Sequence, residues 1–149
     1  MINHHASCVA FANFGVLIRG ASGSGKSTLA LQLIDSDGFG LGQKRLRAKL
    51  VADDQVILQK RANKLVAKPP TALVGLIEVR GVGILAAAVK KSVTVKLIVD
   101  LAALASVNRL PELADLKTEL EGVVLPRIAI TQHNPAAAAI LRAVLHSMM

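Results

Sequence analysis

The stretch Gly15–Ile34, GVLIRGASGSGKSTLALQLI, decides how the rest of this sequence is read. The apolar run from Gly15 to Ile18 predicts a short buried strand, while Leu29, Ala30, Leu33 and Ile34 recur at helical spacing. Between the two, Gly20–Ser27 fits the pattern G-x-x-x-x-G-K-[ST]. Gly20, Gly23 and Gly25 permit a tight turn whose amides point inward with no side chain in the way. Those amides, with the positive end of the following helix, form a nest for phosphate. The reading assigns Gly20, Ala21, Ser22, Gly23, Ser24, Gly25, Lys26, Ser27 and Thr28 to nucleotide binding. Lys26, expected to be exposed, reaches β- and γ-phosphate oxygens in such a loop, and Ser27 offers its hydroxyl to Mg²⁺. The loop alone does not separate kinase from ATPase or GTPase.

Outward from the loop, the pattern is of short strands broken by turns. Ser7–Phe11 precedes it as a small apolar strand, with a turn at Asn13. DSDGFGLGQ stops the helix with acids and glycines. Two strands are predicted around Leu50–Ala52 and Gln55–Gln59, a third in NKLVAK, and a break at Pro69-Pro70. Val93–Leu101, VTVKLIVDL, is the clearest internal strand, and LPRIAIT is another. A closing helix is predicted over Pro135–Met149, with Asn134 as its cap and Pro135 in its first position. The expected fold class is α/β: a β-rich core with flanking helices, one domain over residues 1–149.

Composition narrows the function classes. Apolar residues make up 52% of the chain, enough for a core and against disorder. With no Trp, no Tyr and three Phe, nucleic-acid binding by stacking has no raw material. The net charge of +8 favours anionic partners such as nucleotides or acidic protein surfaces. The lone Cys8 has apolar flanks, reads as a buried structural thiol, and fits a reducing, cytoplasmic setting. No uncharged run of about 18 apolar residues exists, so no membrane span is expected. MINHHASC lacks the basic start and apolar stretch of a signal peptide.

A second constellation follows the loop. VADD sets Asp53 and Asp54 at the end of a short apolar strand, where a turn can bring both toward one site. Phosphoryl transfer needs a metal and a group that orients or deprotonates the nucleophile, and two acids can divide these roles. An Asp-rich turn is the other reading. IEVRGVG places Glu78 and Arg80 on one strand face, as site residues or as a structural ion pair. Gly81 and Gly83 indicate a close backbone approach or a bend. His4 and His5 read from position alone as a frayed terminus, and His133 and His146 have no metal-like spacing with a cysteine.

Taken in order, a histidine about ten residues before GVLI, the phosphate loop, LVADD and IEVRGVGI resemble the catalytic domain of bacterial HPr kinase/phosphorylase. The resemblance runs from about His5 to Leu101. It implies a P-loop-containing HPr kinase-like fold, in a short form without the N-terminal domain that most members carry. It also implies an ATP- and Mg²⁺-dependent protein-serine kinase acting on HPr, the phosphocarrier of the sugar phosphotransferase system, with a weak phosphorylase activity. By the same resemblance Asp53 is the general base, His5 sits beside it, and Lys26 is the loop lysine. Ser27, Glu78 and Asp54 serve the metal, and Arg80, Gly81 and Gly83 belong to the signature that meets the partner. A homo-oligomer, hexameric in the family, is implied as well. The segment after the signature is short, LAAAVKK, and QHN puts His133 where longer members have the arginine of a GRN-like stretch. Arginine there serves the reverse reaction, so the kinase direction is expected to dominate. Two readings compete: a small P-loop phosphotransferase for a metabolite, and a non-catalytic, nucleotide-regulated binding module.

Overall fold

A computed structural model describes residues Met1–Met149 as eleven strands and two α-helices. The strands are β1 (Ile2–His4), β2 (Ser7–Phe11), β3 (Phe14–Arg19), β4 (Lys49–Ala52), β5 (Val56–Arg61), β6 (Lys64–Lys68), β7 (Leu76–Val79), β8 (Gly83–Ala86), β9 (Val93–Ala102), β10 (Lys117–Leu120) and β11 (Val123–Thr131). The helices are α1 (Lys26–Asp35) and α2 (Ala137–Met148). The main sheet runs β1-β5-β6-β9-β3-β2-β4, with the β10–β11 hairpin attached through β11 to β9. β7 and β8 form a separate antiparallel hairpin.

β9 is the hub, as its β-branched sequence predicts. It lies parallel to β3 and to β11 and antiparallel to β6. Opposite Gly15 and Val16 stand Val95 and Leu97, so Lys96 is an extra residue that shifts the register. Such a bulge reverses which face the following side chains occupy. Val93 and Val95 therefore join Ile98 in one core cluster, while Leu97, Val99 and Leu101 join the other. The helix-side cluster packs Leu29 and Leu33 of α1 and Leu141 and Leu145 of α2 against Val16, Ile18, Leu97 and Val99. The opposite face packs the β5–β6 ribbon, through Leu58 and Leu65, over Leu17, Val51 and Ile98. Cys8 lies in this second cluster, where burial pushes its thiol up to about 12, so it is structural.

Two boundaries differ from expectation. Asn134 Oδ1 accepts the Ala136 amide at 2.8 Å, the bond expected of a cap followed by Pro135, but regular α-helix begins only at Ala137. The N-terminus is not frayed: Ile2, Asn3 and His4 pair with Leu58, Ile57 and Val56, and His4 Nε2 lies 2.9 Å from Glu121 Oε1.

α2 is tied to α1 by one buried cation. Arg142 donates through Nε to the Leu46 carbonyl at 2.9 Å and through Nη2 to the Ser36 carbonyl at 2.7 Å, just past the end of α1. Carbonyls left over at a helix C-terminus are thereby satisfied by the charge that suits the helix dipole.

The three parallel strands are clamped near their carboxyl ends. Asp100 of β9 accepts Nε of Arg19 at 2.7 Å and Nε of Arg127 at 2.8 Å, from the strands on either side. Burial pushes the Asp100 carboxyl up, but the hydrogen bonds and charges of the two guanidinium groups outweigh it and hold it below its ordinary 3.8. A carboxyl depressed on folding stabilises the fold above its unfolded value and loses that contribution as pH falls through the folded value. Asp100→Asn is therefore expected to cost about 1–3 kcal/mol at pH 7, between the exposed and fully buried limits for an ion pair. Urea unfolding at pH 7, 5 and 3 checks this. The gap between wild type and variant should hold from pH 7 to 5 and narrow below 3.8.

Candidate active site

The site is built where β3, β9 and β11 end. In parallel sheets, loops at the carboxyl ends of the strands leave a crevice that ligands occupy. β3 delivers the segment Gly20–Gly25 into α1, and β11 delivers Gln132–Ala136 into α2. At the mouth of α1, Gly25 is the N-cap with φ +101, a left-handed conformation that glycine adopts freely. Gly20 is needed for space: a Cβ there would run into Ser24 Oγ and press on Leu101. The loop thus stands against β9, with the Ser24 amide turned back onto the Ala21 carbonyl at 3.0 Å.

Lys26 is not exposed, contrary to expectation. Its stem is covered by the loop, leaving the residue 6% accessible, and Nζ donates to the carbonyls of Gly20 at 2.9 Å and Ala21 at 3.2 Å. The lysine is held by its own loop, with its ammonium at the cavity wall.

A cavity of about 490 Å³ opens here, with no hydrophobic residue in its lining. It gathers Ser22, Gly23, Gly25, Lys26, Ser27 and Thr28 of the loop with His5, Asp54, Glu78, Arg80 and His133. Residues far apart in sequence meet as expected, but the two adjacent acids have separate environments. Asp53 is 7% accessible and absent from the lining. Its Oδ1 accepts Ser7 Oγ at 2.9 Å and Ser27 Oγ at 2.6 Å, and its Oδ2 accepts the Glu78 amide at 3.0 Å. Three donors to one carboxylate fix its position. Asp54 has a side chain 55% accessible, and its Oδ1 lies 2.6 Å from His5 Nε2. The expectation that His5 sits beside Asp53 is therefore corrected: the imidazole partners Asp54. The cause is local, since Asp54 has φ +64 and its amide is held by Ser7 Oγ at 3.1 Å, so the two carboxylates diverge.

Ser7 was missed by the sequence reading. Its signal was a hydroxyl at a fully buried position in the apolar strand SCVAF, a residue type that needs a partner when buried.

Glu78 ends in the cavity from β7, but Arg80 lies past the strand, in the turn to β8. The two line one wall without forming an ion pair, and Arg80 faces the loop near Gly23. Gly81 and Gly83 make a bend, with φ +82 and +124, and nothing lies within 4 Å of a Cβ built on either. Of the two readings, close backbone approach or a bend, the structure takes the bend. Their hairpin leaves Val82 and Ile84 about 70% accessible beside the cavity wall. His133, with φ +59, closes the far side against Gly25.

No three His, Cys, Asp or Glu residues converge into a protein-only metal cage. Hard oxygen donors do line the cavity, among them the Ser27 hydroxyl and the Glu78 and Asp54 carboxylates. That set fits Mg²⁺, which keeps few protein ligands and completes its shell with water and phosphate oxygens.

Known proteins share this arrangement. The family model for the HPr serine kinase C-terminal domain matches residues 1–147. The HPr kinase/phosphorylase of Enterococcus faecalis is 34% identical over 147 residues, covering 92% of this chain and 44% of the relative. That of Mycoplasma mycoides is 39% identical over 80 residues, covering 54% of this chain and 22% of the relative. The chain thus spans less than half the length of these curated relatives. The solved structure of the Hpr(Ser) kinase/phosphatase from Coxiella burnetii superposes with a TM-score of 0.79 at 27% identity, over 99% of this chain and 96% of that one. No helix is long and apolar enough to cross a membrane. A family model matched along almost the whole chain means that it belongs to the HPr serine kinase C-terminal domain family.

Proposed function

We propose that this chain is an ATP-dependent protein-serine kinase whose acceptor is the phosphocarrier HPr. One observation carries the reading: a single polar cavity is lined both by the phosphate-loop lysine and serine and by the His5–Asp54 pair. A serine hydroxyl is a poor nucleophile until a base takes its proton. Asp54 is the accessible carboxylate, so in this reading Asp54 accepts the proton and His5 positions it. The serine oxygen forms its bond to the γ-phosphorus as the bridging bond to the β-phosphate breaks, and the nucleoside diphosphate leaves. Lys26, Arg80 and the loop amides stabilise the charge that spreads over the transferred group. Mg²⁺, held by Ser27 and Glu78, would add charge neutralisation at the phosphates. Asp53 would keep Ser27 aimed rather than meet the substrate. This exchanges the roles that the sequence resemblance gave the two acids.

The basic net charge suits an acidic phosphocarrier surface and a cytoplasmic setting, and assembly as a homo-oligomer follows from the family resemblance. The decisive measurement is transfer of labelled phosphate from ATP to purified HPr, with serine-substituted HPr as control. Lys26→Ala is expected to abolish labelling while the melting temperature stays within a few degrees, because its ammonium bonds only to loop carbonyls.

The two acids should separate kinetically. Asp54→Asn is expected to lower kcat about 10²- to 10⁴-fold with nucleotide affinity nearly unchanged, as for loss of a general base. Asp53→Asn should lower the melting temperature and weaken Mg²⁺–nucleotide binding, since three donors lose their charged acceptor. A turnover loss confined to Asp53→Asn, with Asp54→Asn active, would return the base role to Asp53.

In the reverse direction, inorganic phosphate must be held beside a phosphoserine. His133 lines this cavity, where an arginine would bring a permanent charge and a planar, bidentate donor fork. Phosphate-dependent dephosphorylation of phosphoserine-HPr is therefore expected to be slower than the forward reaction and to rise in His133→Arg. Pyrophosphate release measures it.

A further inference from the structure

A cavity of about 370 Å³ lies outside the active site and shares no lining residue with it. Three parts of the chain build it: residues 106–116 of the connection between β9 and β10, residues 127–129 of β11, and α2 through Ile140 and Val144. Its volume falls within the roughly 300–1,000 Å³ of small-molecule sites. Half of its lining, six residues of twelve, is hydrophobic, and the other half includes two guanidinium groups and one carboxylate.

The carboxylate is already engaged. Asp115 Oδ2 accepts the Asn108 side-chain amide and the Glu112 backbone amide, both at 3.1 Å, and so braces the segment that forms one wall. The two cations keep unused donors. Arg127 gives Nε to Asp100 at 2.8 Å and Nη1 to the Asp115 carbonyl at 3.2 Å, which leaves its Nη2 without a partner. Asp100 is shared with Arg19, so one negative charge is divided between two guanidinium groups. Arg109 is exposed and enters none of the ion pairs. A wholly polar ligand such as a phosphate chain would find no partners on Val107, Ile140 and Val144, and a neutral hydrocarbon would leave both guanidinium groups unused. An apolar body with one planar anionic head meets both halves of the lining, because a carboxylate matches the donor fork of an arginine.

We propose that this cavity binds a small amphipathic carboxylate, with its apolar body against Val107, Ile140 and Val144 and its head on Arg109 and Arg127 Nη2. The site stands apart from the phosphotransfer cavity and does not depend on the reading of that cavity. One side chain links the two regions: Asp100, which Arg127 holds, also holds Arg19, the residue before Gly20.

Calorimetric titration of the full chain with sodium octanoate tests it without any turnover. Octylammonium, with the same body and the opposite charge, and inorganic phosphate, with no apolar body, are the controls. Wild type should bind octanoate at least about tenfold more tightly than either control. Arg109→Ala should weaken octanoate about fivefold, the size of one net hydrogen bond. Ile140→Glu, which sets a like charge on the apolar wall, should abolish octanoate binding. Both positions are exposed, so the melting temperature and the affinity for ADP should stay at their wild-type values. Saturating ADP should leave octanoate affinity within about twofold, since the two cavities share no residue. Octanoate that fails to bind, binds no better than octylammonium, is indifferent to both substitutions or is displaced by ADP overturns the site.

Discussion

The carboxylate of Asp53 is the joint on which the site depends. It accepts hydrogen bonds from β2 through Ser7, from α1 through Ser27 and from β7 through the Glu78 amide. Four chain segments distant in sequence are thereby held at one point, since Asp53 itself follows β4. A buried carboxylate is stable only when its charge is met by donors, and here each donor belongs to an element that carries a functional group. Ser27 heads the phosphate-binding helix, Glu78 reaches into the cavity, and Ser7 also fixes the amide of Asp54. Removing the charge would loosen all of these together.

The sheet supplies the frame for that joint. The bulge at Lys96 lets one long strand serve two cores, its first half facing the β5–β6 ribbon and its second half facing the helices. Beyond the bulge, β9 runs parallel between β3 and β11, and Asp100 ties the three strands through Arg19 and Arg127. The phosphate loop and the turn before α2 leave from the two outer strands of this trio. Their separation across β9 sets the width of the crevice between them, with Leu101 as its floor.

Local signals made most of this visible in the sequence. The phosphate loop obeys a short-range rule, so Gly20, Gly25, Lys26 and Ser27 were placed from spacing alone. β9 announced itself through its β-branched run, and two helical periods gave two helices. What was not legible depends on tertiary contacts. Ile2–His4 form a strand because β5 offers an edge, not because their own composition asks for one. The helix after Pro135 reaches α-geometry only at Ala137 because its first turn is closed tightly, by the Ala137 amide on the Asn134 carbonyl at 3.0 Å. Past Leu101 the resemblance to the family weakened, and β10 with its exposed approach through Leu110 and Leu113 had no clear pattern.

The pair Asp53-Asp54 shows where sequence reasoning stops. Adjacent acids at a strand end are equivalent in a motif, and only backbone conformation separates them. Asp54 stands at φ +64, a region that a non-glycine residue occupies at a cost and that aspartate tolerates better than most. That conformation is fixed by the Ser7 hydroxyl on its amide and by the Ala6 amide on its carbonyl at 3.1 Å. With the backbone turned, Asp53 points into the protein toward Ser27, and Asp54 points into the cavity toward His5. Local strain of this kind persists where surrounding contacts over-determine it, and it gathers at functional sites. Here it turns two identical side chains into a buried anchor and an exposed carboxylate paired with His5.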